Sequence, residues 1–245
     1  EDGELFLELR DSIYRGREDF VYRITVGELP YVTGIFPLGG TLKGKTPVEL
    51  MGWNLPSPKP VVETKNTGNG LIAIHPFGAA AYNPLNFLAE DLPEIRSAGD
   101  HHGIDRAQTI GFPAAINGRI EKPGAADFFR FTGKAGDRVI ADGWARRVGS
   151  PLDSALRVFD ARGRVIQTND DHTDEMAGLV THHADSYLNF TLPETGEYTV
   201  ALRDAQGKGG MEYTYRLRLS TPRPDFRLRV TPSCASIPSG GTAAL

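Results

Sequence analysis

"GEYTVALRD" (residues 196–204) alternates apolar and polar residues between a glycine and an aspartate, and "GELFLELRD" (residues 3–11) nearly duplicates it. The pattern places Tyr198, Val200 and Leu202 on one face, the period of a strand with one buried side. The likeness extends beyond these nine letters. Residues 1–26 align with 194–219 without a gap, and nine of the 26 positions are identical, ending in Tyr22–Arg23 and Tyr215–Arg216. Average residue usage would give about one or two. Each copy reads as a strand, a glycine-bearing loop and a second strand. Self-similarity at fixed spacing marks an array of modules.

The rest of the chain reads the same way. "MEYTYRLRLS" (211–220) sets Tyr213, Tyr215, Leu217 and Leu219 against Thr214, Arg216 and Arg218. Other short runs, among them "DFFRFTG", "DRVIADGWA", "SALRVFDARG" and "SYLNFTL", are bounded by Gly, Asp, Asn or Pro. "FDARGRVI" (159–166) is a hairpin with its turn at Asp160 and Gly163. No dozen residues keep a helical apolar stripe, and residues 93–110 hold a short helical turn at most. The expected class is all-β: tandem β-sandwiches.

Composition narrows the function classes. With 28 glycines and 17 prolines the chain is turn-rich, and its net charge of −4 gives no broad attraction to nucleic acid. No apolar run reaches the length of a transmembrane span. The single cysteine, Cys234, forms no internal disulfide. The repeat sets the expected boundaries. Residues 1–29 end a preceding module, 30–93 form a Pro/Gly-rich unit, 94–221 form a complete module, and 222–245 begin a further β unit.

Four blocks carry a family resemblance: "INGRIEKPGAADFFRFTGKAGDRV", "SPLDSALRVFDARGRVIQTNDD", "LPETGEYTVALRD" and "YTYRLRLS". Through them residues 113–219 resemble the bacterial pre-peptidase C-terminal (PPC) domain, a jelly-roll-like β-sandwich attached to many secreted enzymes and surface proteins. Residues 31–92 are similar to an immunoglobulin-like IPT/TIG unit through "FPLGGTLKGKTPVELMGWNLP" and "YNPLNFLAEDLPE". The resemblance implies a non-catalytic structural or adhesive part of a large exported bacterial protein, secreted or held at the cell envelope. The implied partners are neighbouring β modules of the same chain and an extracellular glycan or protein. The alternative is a carbohydrate- or protein-binding module, accessory to a peptidase or other hydrolase.

No catalytic constellation appears. The G-x-S-x-G, H-E-x-x-H and P-loop patterns are absent, and Gly39, Gly40 and Gly44 lack the strand-to-helix context of a phosphate cradle. No organic cofactor is expected. Some PPC relatives bind calcium, and the resemblance places such a site at Glu94, Asp100, Asp105 and Asp127. Here "GAAD" (124–127) has Ala125 where the family has its first aspartate, which weakens the site. A second acidic loop, "NDDHTDE", offers Asp170, Asp171 and Asp174 as oxygen ligands, with a solvated turn as the plainer reading. A transition-metal site would need separate segments, for instance His172 with His182 and Asp185. Arg216, Arg218, Arg227 and Arg229 read as solvent-facing strand positions, and Trp53 and Trp144 as core or hinge packing.

Overall fold

A computed structural model describes residues 3–65, 67–78, 83–173 and 182–223. Among these residues the regular structure is chiefly strand, with 3-10 turns at Ile104–Arg106 and Arg146–Val148. Seven strands lie before residue 91: β1 (Tyr31–Phe36), β2 (Gly39–Thr41), β3 (Lys45–Pro47), β4 (Glu49–Trp53), β5 (Val61–Glu63), β6 (Gly70–Ile74) and β7 (Leu85–Glu90). They pair as β1–β4, β3–β5 and β2–β7–β6 around Val32, Ile35, Leu38, Leu50, Val62 and Phe87.

The larger unit begins with β8 (Glu94–Arg96), β9 (Gln108–Thr109), β10 (Ala114–Arg119), β11 (Ala126–Gly133), β12 (Arg138–Trp144) and β13 (Ser154–Phe159). It continues with β14 (Val165–Asn169), β15 (His172–Thr173), β16 (His182–His183), β17 (Tyr187–Thr191), β18 (Gly196–Asp204) and β19 (Thr214–Ser220). Two five-stranded sheets, β17–β12–β19–β10–β8 and β14–β13–β18–β11–β9, enclose one core. The all-β sandwich expected from the sequence is therefore present.

The repeated motif supplies the centre of both sheets. β18 lies between β11 and β13, and β19 lies between β10 and β12, so Thr199–Arg203 and Arg216–Leu219 are paired on both sides. Their inward residues, Val200, Leu202, Tyr215, Leu217 and Leu219, join Phe129, Phe131, Val139, Leu156 and Val158 in the core. The β13–β14 hairpin forms as its sequence predicts. The Asp160 carboxylate accepts the amides of Arg162 and Arg164, and these bonds, led by that from Arg164, hold its pKa below the ordinary value.

The first copy behaves differently. Residues 3–30 carry turns but no strand, so the two strands expected there do not form in this structure. Leu5 is 95% and Tyr22 72% exposed, whereas the matching Tyr198 and Tyr215 are buried. A strand must pair its backbone, and the central slots that suit this sequence are already filled by β18 and β19.

Candidate functional site

The outward face of the sheet built on β19 is where the two units meet, and arginines dominate it. Arg216 is fully buried, contrary to the solvent-facing position that alternation implied. Alternation says which side of a sheet a residue takes. It does not say what covers that side. Here the unit of β1–β7 covers it. The Arg216 Nε donates to Glu90 Oε2 at 2.9 Å, at the end of β7, and its Nη1 and Nη2 donate to both oxygens of Glu94 at 2.9 and 2.7 Å. Burial alone would push this guanidinium's pKa down. Glu94 and Glu90 outweigh that and hold it above the ordinary value.

Arg216 also bears on the first glycine of "PLGG". A Cβ on Gly39 would lie 2.4 Å from the Leu88 carbonyl oxygen and 2.9 Å from Arg216 Cδ and Cζ. Any side chain at Gly39 would displace the arginine. Around this centre Arg218 joins Glu90 and Asp142 at 3.2 and 2.7 Å. Arg119 donates to Glu49 at 2.8 Å and lies 4.0 Å from the Phe36 ring centre. The Arg119 guanidinium holds the Glu49 carboxyl below the usual range. Trp144, expected as packing, lies under Arg147 at 3.6 Å and packs against the smaller unit's core. Trp53 is exposed beside Tyr31 instead.

The predicted calcium ligands do not converge. Glu94 is held by Arg216 and also accepts Asn117 Nδ2 at 2.9 Å. Asp100 pairs with Arg106, and Asp105 is exposed 4.0 Å from the same arginine. Asp170 and Asp171 are exposed, and Asp174 lies outside the described residues. Among the described residues no three His, Cys, Asp or Glu side chains are arranged to hold a metal. Opposite His172 stands His183 rather than His182, while Asp185 is buried and accepts the amides of Ala145, Arg146 and Arg147.

Asp127, only 1% exposed, sits in a different network. Its Oδ2 accepts the Tyr215 hydroxyl at 2.5 Å, and burial, then the Asp127 charge, raises that phenol well above its ordinary pKa. Its Oδ1 lies 3.0 Å from His102 Nδ1 and 3.4 Å from His101 Nε2, without the alignment of a hydrogen bond. The Ser97 hydroxyl is 2.8 Å from His101 Nε2, and His101 Nδ1 donates to the Gly99 carbonyl at 2.9 Å. Serine and carboxylate thus share one imidazole nitrogen. A nucleophile relay needs the carboxylate on the opposite nitrogen, so this trio is a packing network.

The outward face of the other sheet is open. Along it Ala126, Phe128 and Arg130 of β11 lie beside Thr199, Ala201 and Arg203 of β18, and these beside Ala155, Arg157 and Phe159 of β13. The alanines leave a depression of about 390 Å³. Sequence reading missed this face, because Arg157 and Arg203 lie in separate segments that only β18–β13 pairing brings together.

No family model matches the chain. Over 78 residues, 31% of its length, it is 44% identical to a probable subtilase-type serine protease of Deinococcus radiodurans, and the match spans only 10% of that protease. Among solved structures, the pre-peptidase C-terminal domain of a collagenase from Bacillus anthracis aligns with 46% of this chain and 94% of its own, at 14% identity and a TM-score of 0.34. PliG of Aeromonas hydrophila, a periplasmic inhibitor of g-type lysozyme, aligns with 53% of this chain and 96% of its own, at 17% identity and a TM-score of 0.32.

Proposed function

We propose that this chain is a non-catalytic accessory segment of an exported bacterial protein, in which a PPC-like sandwich and an IPT/TIG-like unit act as one rigid spacer. The observation that carries this reading is the buried Arg216, which ties Glu90 of one unit to Glu94 of the other through three hydrogen bonds. A buried ion pair of this kind adds little net stability, but breaking it is costly, so it serves to fix geometry. The partial match to a subtilase-type protease supports a place beside a peptidase domain. In this reading residues 1–29 end a preceding PPC-like module, and 222–245 begin another β unit.

Inter-unit distance measurement tests the spacer. Spin labels at Glu63 and Arg162, with Cys234 replaced by serine, should give one narrow distance distribution that broadens in Arg216→Ala. A broad distribution in the unaltered chain would overturn rigidity. Turnover on a peptide panel, abolished by one point change, would overturn the non-catalytic role. The open face of the β18 sheet favours a second reading, in which the segment also holds an extracellular ligand. A calcium requirement for that binding predicts a rise in melting temperature at millimolar calcium, and an unchanged melt removes it.

A further inference from the structure

The two outward faces of the sandwich treat their arginines differently. On the covered face Arg119, Arg216 and Arg218 each meet a carboxylate. On the open face Arg157 and Arg203 are exposed and have no side-chain partner among the described residues. Acidic residues are not scarce: 31 Asp and Glu stand against 27 Lys and Arg. Among the described residues the open pair is therefore left unneutralised, in a chain that has carboxylates to spare.

We propose that this face binds a carboxylate-bearing polysaccharide, a reading that rests on the ligand-holding role above. Ala201 lies between Phe128 and Arg157, and Arg203 lies between Ala126 and Ala155. Small residues thus form the floor and long ones the walls. Arg157 and Arg203 occupy diagonal positions on adjacent strands, about 7–8 Å apart. Each guanidinium presents a planar fork that matches a carboxylate. Phe128 and Phe159, 6.3 Å apart between ring centres, add a half-buried apolar surface for the C–H faces of sugar rings. Asp170, at the margin of the depression, bounds the cationic stretch. A peptide that docks by adding a strand needs a free sheet edge. This face offers side chains alone, in the middle of a sheet, which suits a saccharide.

The test titrates the full chain with oligogalacturonate by calorimetry, at low and at high salt. Binding that weakens with salt is expected. Arg157→Ala with Arg203→Ala should reduce affinity at least tenfold, and Phe128→Ala several-fold. Arg138→Ala, an exposed arginine of the other sheet, should leave it unchanged. Unaltered melting temperatures of the arginine variants separate lost binding from lost folding. The proposal is overturned if the double variant binds as the parent does, or if a neutral oligosaccharide binds equally well. It is also overturned if poly-glutamate binds as tightly as the uronate. Absence of uronate binding would sink this inference and leave the inter-unit distance test standing.

Discussion

Residues 3–26 and 196–219 share a motif and meet opposite ends. In the second copy the strands are the centres of two sheets, and in the first the same pattern forms no ladder. Yet the loops between the strands agree. The Tyr14 amide donates to the Asp11 carbonyl at 3.0 Å, and the Gly207 amide to the Asp204 carbonyl at 3.1 Å. The Asp11 carboxylate accepts the Arg15 amide at 2.9 Å, and Asp204 accepts that of Lys208 at 2.8 Å. Even the left-handed residue recurs, Tyr14 at φ 55° and Gly207 at φ 70°. A second turn, Arg17–Phe20, matches Gly210–Tyr213. Turns are satisfied within four residues, whereas strands depend on neighbours far away in sequence.

Paired substitutions can break this comparison. The largest contrast should come from charge in the core. Val200→Asp is expected to cost at least about 4 kcal/mol and unfold the sandwich, while Leu7→Asp should stay within about 0.5 kcal/mol. Chemical denaturation of both variants reads the difference, and equal costs would mean the first copy is packed after all. Next, Arg216→Ala leaves Glu90 and Glu94 without their buried cation and should lose about 3–5 kcal/mol. Arg23→Ala, at the matching position, should not change the denaturation midpoint.

The smaller contrasts concern the turns. Asp204 is buried and accepts three amides, from Asp153, Gln206 and Lys208. Asp204→Ala should therefore cost about 1–3 kcal/mol, against a few tenths for the exposed Asp11→Ala. Last, a Cβ at Gly207 meets nothing within 4 Å, so Gly207→Ala tests backbone conformation alone. About 1 kcal/mol is expected there, seen as a small fall in melting temperature. Tyr14→Gly should leave the melt unchanged.

Much of the sandwich was legible because alternation is a local property. Phe129 and Phe131, Val200 and Leu202, and Tyr215 and Leu217 all face the core as their spacing predicts. The Asp160–Gly163 hairpin was legible for the same reason. The polar surfaces were harder to read. "RLRLS" gives no sign that Arg216 is buried, because the covering Glu90 lies 126 residues away. Asp100 and Asp127 fit a calcium pattern by sequence, yet Arg106 takes one carboxylate and Tyr215 the other. Ion pairs between distant segments leave no periodic trace.

By itself the sequence determined the class of structure, the inward side of each strand and the chemistry of the turns, since each is set by residues within a few positions. The tertiary structure decided which copy of the motif becomes sheet, which arginines are buried and which stay open. Those outcomes depend on what stands opposite each strand, and only the assembled sheets supply it.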